Sequence, residues 1–384
     1  MSTDPLASPL PLVIVGAGAA GSLLAIELGR QGLPVVLVDR PPRQPPLFRA
    51  EKLEQAQSLA LQARGLLDLR RPTAPATGTI LRFEAGQSRV VDAGAQYGID
   101  YQATVMAWRA EALRHADWME VGVRTLQPLA APASGWQLTL DDGRSLHTRL
   151  LVLACGLQPG LLAQAGAVIR THPRWRSLFL GFDLRLDDPQ RLPQGGCNEH
   201  LEQGLGGIDY LTVFRIGERV RANLSLQMSP TDARVRALRH APERVLADWF
   251  PHLREAIGPM HLASPVVQHQ TLRHWTAPPR RGGLLLIGDA QQSAHPASGQ
   301  GLSQILVETK VLSGLVPGWL RQPLVRFETL QAYYHHPDKR RQDALTLGLW
   351  HLFAQPAARR AWIRRWQALS QRLPAWPHWL RPST

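Results

Sequence analysis

The sequence predicts an α/β fold: a parallel sheet wound with helices, a mainly antiparallel β-sheet inserted into it, and a C-terminal helical segment. Three observations predict it. Near the N-terminus, two apolar runs of strand length, residues 12–15 and 33–39, flank a glycine-rich turn and a helical stretch. Far downstream, residues 284–287 form another apolar run that ends in Gly288-Asp289. Between them the pattern changes to short runs of alternating character separated by turn-forming glycines. A chain of 384 residues is too long for one simple core and suits two parts built around a shared site.

The first element carries Gly16-Ala17-Gly18-Ala19-Ala20-Gly21, the spacing G-x-G-x-x-G. The first glycine allows a tight turn, the second lets the backbone approach a pyrophosphate, and the third lets helix pack on strand. Asp39 falls about twenty residues on, where a carboxylate accepts hydrogen bonds from a ribose diol, and Arg40 follows it. A lone motif of this kind is weak. Here the required strand, helix, second strand and acid all surround it. Residues Gly16, Gly18, Ala19, Ala20, Gly21, Asp39 and Arg40 are therefore candidates for the ADP half of a dinucleotide in a Rossmann-like domain.

The downstream element places Asp289 at the end of a strand, then His295-Pro296, then Gly299-Gln300-Gly301 ahead of a helical pattern from Leu302. A helix start offers backbone N–H groups that favour an anion or an electron-rich carbonyl. A carboxylate holds sugar hydroxyls, and a helix start steadies negative charge on a ring. Both needs belong to a flavin. Gly288, Asp289, Pro296, Gly299, Gln300, Gly301 and Leu302 are the candidates. Taken alone, this segment also reads as an ordinary strand–turn–helix.

Together the two motifs resemble the class A flavoprotein monooxygenases, the para-hydroxybenzoate hydroxylase family. The resemblance is close over the N-terminal cofactor segment and over Gly288–Glu308, and rests on length and position between them. It implies extended, non-covalent FAD, with Asp289 at the ribityl chain and the run His295 to Gly301 beside the ring. It also implies that Arg109, in Ala107–Leu113, lies near the pyrophosphate and Arg49, in Phe48–Leu53, near the flavin. Two positions depart from the family: Ser303 replaces a frequent Asn, and Cys155 replaces an aspartate at the end of the run 150–156. The second departure leaves NADPH or NADH open as the direct electron donor and brings in a separate flavin reductase as a candidate partner. Cys155 itself reads better as a small buried residue than as a redox thiol.

The implied chemistry takes a small-molecule substrate and dioxygen: a C4a-hydroperoxyflavin transfers its distal oxygen to an electron-rich, usually aromatic, substrate. Catalytic candidates are His295, whose ordinary pKa lies near neutrality, and Tyr210. The bland reading of His295 is a structural loop residue. The expected division is 10–75, 103–165 and 280–330 for FAD, 76–102 and 170–275 for substrate, and 331–384 as the helical tail.

In the substrate part, residues 81–92, 178–186, 210–216 and 220–228 read as strands, with turns at Gly86-Gln87-Ser88 and Gly217-Glu218-Arg219. Tyr210, Thr212 and Phe214 share one face, and Asn223, Ser225 and Gln227 share another. Either face holds substrate or meets solvent.

The net charge of +13 raises nucleic acid as a partner, but the arginines are spread along the chain without a nucleic-acid fold signature, so that class is set aside. Only the last fifth clusters, with Lys339-Arg340-Arg341, Arg359-Arg360 and Arg364-Arg365 among several tryptophans. That tail reads as a cap on the cofactor part, or as a helix lying on an anionic bilayer. Two cysteines, no secretory pattern and no membrane-length apolar run suggest a reduced, cytoplasmic setting. Other readings are a halogenase, which lacks its Trp-x-Trp-x-Ile-Pro segment here, and a reductase or cyclase of the same fold. A flavin-independent dehydrogenase leaves Gly288–Gly301 unexplained, and a non-catalytic flavin-binding protein is the last alternative.

Overall fold

The computed structural model describes residues 9–41, 48–49, 51–68, 77–84, 86–129, 135–201, 206–278 and 280–354. Two sheets organise them. The first has seven strands, in the order Asp117–Glu120, Val35–Asp39, Leu10–Val15, Ser145–Leu153, Trp136–Leu140 and Val123–Pro128, with Leu284–Leu286 also paired to Ser145–Leu153. Its central strands run parallel, with Ile14 opposite Leu37 on one side and Val152 on the other. Parallel strands covered on both faces need apolar residues at every position, which is why these runs do not alternate. Helices Ala19–Gly29, Tyr101–Ala112 and Gln300–Leu320 contribute to the core on one face. The other face packs Val13, Val36, Trp136 and Leu151.

The second sheet has nine strands, in the order Met260–Leu262, Val168–Leu186, Arg219–Leu226, Ile208–Ile216, Cys197–His200, Thr77–Glu84, Gln87–Gly98 and Lys52–Leu53, with Val267–Ala277 paired to Val168–Leu186. It is antiparallel except where Cys197–His200 runs parallel to Thr77–Glu84. Leu180, Phe182, Leu211, Val213, Ala222 and Leu224 bury one face against the short helices between Ala233 and Ile257. The period of two then aims Tyr210, Thr212, Phe214 and Asn223 at an interior cavity. The solvent-face reading of these four is therefore corrected. Ser225 and Gln227 lie outside the cavity wall and instead donate to Asp209 at 2.9 and 3.1 Å.

Boundaries shift where pairing outruns local pattern. Gln87 and Ser88, read as turn, are strand residues, because Glu84 already pairs with Gln87. Lys52–Leu53 lies in a stretch assigned to the cofactor part, yet it extends the second sheet beside Tyr97 and Gly98. Helix Pro337–Ala354 is present in the tail, with Trp350 fully buried. The arginine pairs 359–360 and 364–365 lie outside the described residues. No helix among the described residues is long and apolar enough to cross a membrane.

Candidate active site

The two sheets share a cavity of about 940 Å³. All the sequence-predicted site residues line it except Gly21, Gly288 and Gln300. Those three act from behind the wall. A Cβ on Gly21 would stand 1.8 Å from the Gly16 carbonyl oxygen, so this residue permits helix-to-strand contact. Gly288, at φ +58°, donates its N–H to Glu308 at 2.6 Å. Gln300 is buried and accepts from Gln342 at 3.3 Å.

Gly16 turns the chain at φ +106°, and a Cβ there would meet the Ala154 carbonyl oxygen at 2.5 Å. Gly18 differs: its φ is −71° and a Cβ would meet nothing within 4 Å. The fold itself therefore does not require a glycine at this position. Helix Ala19–Gly29 starts there with no side-chain cap, leaving its first N–H groups for a ligand anion.

Asp39 accepts from the Ala17 N–H at 2.8 Å and from Arg109 at 2.9 Å. Arg109 also donates to the Ala17 carbonyl at 3.3 Å and stacks over Trp118. It is thus buried, not a surface arginine of its helix. Arg40 pairs with Asp141 at 3.4 Å on the cavity rim.

The second motif is held from several sides. Its Glu308 is fully buried and faces Lys339 at 3.3 Å, while Lys339 also meets Asp343 at 2.5 Å. Burial raises the Glu308 carboxyl above its ordinary pKa, and the Lys339 charge opposes that rise. The Asp289 carbonyl accepts from His274 at 2.8 Å, while its carboxylate stands 3.7 Å from Arg49 at the cavity. Arg49 lies 2.5 Å from His269, whose pKa is pushed down to about 3 by burial and by the Arg49 charge. His269 is therefore neutral and accepts from the guanidinium.

Gly299 is left-handed, at φ +65°, and helix Gln300–Leu320 begins there without a side-chain cap. Gln57 donates to the Gly299 carbonyl at 2.8 Å and to Ser303 Oγ at 2.9 Å. Ser303, where the resembled family often has Asn, thus serves to anchor this loop. Sequence reasoning missed Gln57. Its signal was faint, since it reads as an ordinary helix residue.

His295 is buried, stacked on Phe353 with centroids 4.5 Å apart and edge-on to Trp350 at 4.6 Å. Gln227 Nε2 approaches its Nε2 at 3.3 Å. Tyr210 donates its hydroxyl to the Ala297 carbonyl at 3.1 Å. Cys155 lines the cavity as a neutral thiol, its pKa pushed up to about 12 by burial.

Residues 10–126 match the family of FAD binding domains. The chain is 27% identical to the ubiquinone hydroxylase UbiL of Rhodospirillum rubrum, over 92% of this chain and 84% of that protein. By these matches the chain is similar to the class A FAD-dependent monooxygenases. Solved structures agree on the fold of this flavoprotein. The p-nitrophenol 4-monooxygenase PnpA of Pseudomonas putida superposes with a TM-score of 0.70 at 17% identity, over 92% of each chain. A variant of the halogenase PltM in complex with FAD superposes with a TM-score of 0.70 at 15% identity, over 94% of this chain and 80% of that one.

FAD is the cofactor of this oxidoreductase, and the residues present fit it. Two uncapped helix starts open on one cavity, and the bare approach over Gly18 and the Asp289 carboxylate lie along it.

Proposed function

We propose that this flavoprotein hydroxylates an aromatic or otherwise electron-rich small molecule. One observation carries the reading: the cofactor crevice and the polar and aromatic face of the second sheet are walls of one cavity. Bound FAD supplies activation of dioxygen and transfer of one oxygen atom. The protein's part is to bind, orient and exclude water. Gly18 and the N–H groups after it receive the pyrophosphate, Asp39 the ribose diol, and Asp289 the ribityl hydroxyls. Arg109 keeps the Asp39 carboxylate in place and offsets phosphate charge. The start of helix Gln300–Leu320 favours negative charge at the ring edge, an orientation set before any reaction.

Phe179, Tyr210 and Phe214 offer flat faces for an aromatic substrate. His295 and Phe353 close the wall by their stack, and Tyr210 holds the Ala297 carbonyl, so both candidates act here by positioning. The hydroxylase relative supports ring hydroxylation. The halogenase reading shares the fold, but the missing Trp-x-Trp-x-Ile-Pro segment disfavours it.

The test begins with the visible spectrum of the purified protein. A flavin spectrum bleached anaerobically by NADPH supports direct reduction; an unchanged spectrum points to a partner reductase. Oxygen uptake that rises with an aromatic substrate, with a product one oxygen atom heavier, supports hydroxylation. A protein that stays colourless after addition of FAD contradicts the proposal.

A further inference from the structure

Lys52 and Arg82 stand on the same cavity wall. Lys52 comes from the outermost strand of the second sheet, and Arg82 from Thr77–Glu84, two strands inward. The register carries Arg82 opposite Asn198, then Asn198 opposite Thr212, then Thr212 opposite Asn223, so one polar row crosses the wall. Arg82 donates to Asn198 at 3.2 Å, its one hydrogen bond among the described residues. The neighbouring carboxylate, Glu84, is taken by Arg89 at 2.8 Å. Lys52 lies over the Phe214 ring at 5.5 Å and makes no hydrogen bond or ion pair among the described residues.

Two cations thus share a mostly buried wall, and no carboxylate among the described residues is bonded to either. Buried charge is ordinarily paired, because its desolvation is costly. The other buried cations near this cavity obey that rule: Arg221 is bidentate to Glu51 at 2.7 and 3.0 Å, and Arg109 meets Asp39 at 2.9 Å. Lys52 shows the strain of its position, since burial, aided by Arg82, lowers its pKa to about 8 despite an opposing Glu54. Phe214 and Tyr210, beside the pair, offer aromatic faces.

We infer that Lys52 and Arg82 form a carboxylate subsite, and that the substrate is an aromatic acid whose ring lies against Phe214 and Tyr210. This rests on the reading of the cavity as a substrate site. It departs from the neutral quinone named for the ubiquinone hydroxylase relative. A carboxylate accepts from the Lys52 ammonium and from Arg82 N–H groups, completing a pairing that no described residue supplies.

The experiment titrates the purified, FAD-supplemented protein calorimetrically with hydroxybenzoates and aminobenzoates, and with the matching carboxamides. FAD content is read from the visible spectrum of the same samples, so absence of flavin, which would sink the cofactor assignment, is seen separately from absence of acid binding. The expected result is at least one acid that binds about ten- to a hundredfold more tightly than its amide. Lys52→Met should lose that preference, and Lys52→Arg should restore most of it. Affinity should also fall as pH rises through about 8, where Lys52 loses its proton. The groups facing Lys52 are Arg82, Glu54 and Cys197, and the Cys197 thiol, held up at about 12 by burial, stays neutral there. Equal binding of acid and amide, an unchanged preference in Lys52→Met, or no binding of any acid at millimolar concentration would overturn the inference. A Lys52→Met effect on NADPH affinity alone would do the same.

Discussion

The Tyr210 hydroxyl donates to the Ala297 carbonyl at 3.1 Å and so ties the substrate sheet to the loop between His295 and Gly299. Gln57 holds the other end of that loop through Gly299. The segment beside the expected flavin ring is therefore positioned by the second sheet at one end and by helix Gln55–Gln62 at the other. Tyr210→Phe should cost about 0.5–1.5 kcal/mol of stability, the worth of one hydrogen bond, as measured by urea unfolding. Turnover should fall only a few-fold. A loss of several orders of magnitude would instead make Tyr210 a proton donor in the reaction.

Gly18 separates folding from binding. Gly18→Val keeps an allowed φ of −71° and places its side chain in open space, so the stability cost should be about 1 kcal/mol. FAD occupancy should be abolished, because the side chain fills the approach to the helix start. Gly21→Ala should do the reverse and damage the fold, since its Cβ would stand 1.8 Å from the Gly16 oxygen. Thermal melts and flavin absorbance of both variants check the contrast.

Asp289→Ala should weaken FAD by about 1.5–3 kcal/mol, the range for a charge-assisted hydrogen bond, without lowering the melting temperature. The carboxylate is 40% exposed and its one ion pair among the described residues, with Arg49, is long at 3.7 Å, so the fold has little to lose. Fluorescence titration of the apoprotein with FAD measures it. Unchanged affinity would make the Gly-Asp pair a purely structural turn.

Lys339→Met should destabilise the protein by about 3–5 kcal/mol at neutral pH, because it strands Glu308 without its cation. The Glu308 pKa is already raised by burial and should rise further in the variant. A carboxyl whose folded pKa exceeds its unfolded value contributes stability below the unfolded pKa and loses it as pH rises through the folded one. The deficit of Lys339→Met should therefore shrink toward acid pH. A deficit that is constant with pH would contradict this pairing.

The turns and helix starts that line the cavity were legible because their residues lie close in sequence. Gly16 to Gly21 and Gly288 to Leu302 each announce a turn and a helix start by local spacing. The orientation of the second sheet was not legible. The alternation of Tyr210, Thr212 and Phe214 is visible, but which face meets the cavity depends on the helices that cover Leu211 and Val213. Long-range partners were hidden for the same reason. Gln57 and Gly299 stand 242 residues apart, and only their elements' packing brings them together. Lys52 and Arg82 come to one cavity wall through sheet order alone. Cys155 was read as buried from its lone position, but it is only partly buried and lines the cavity.

Cys155 also bears on the electron source. A neutral thiol stands where the resembled family has an aspartate, and the Asp39 charge acts on the same spot. Reduction of the bound flavin by NADPH or NADH alone should be slow, and stopped-flow absorbance with and without aromatic acids checks it. Rapid reduction by NADPH alone would show that the position is not needed for nicotinamide use.

The central claim, oxygen transfer from the FAD site to an aromatic substrate, is tested most directly without any electron donor. The FAD-loaded protein is photoreduced anaerobically, mixed with isotopically heavy dioxygen and a panel of phenolic and anilinic acids, and the products are weighed by mass spectrometry. The account predicts one heavy oxygen atom in the product of at least one acid. Recovery of all the consumed dioxygen as hydrogen peroxide, with every acid returned unchanged, would contradict it.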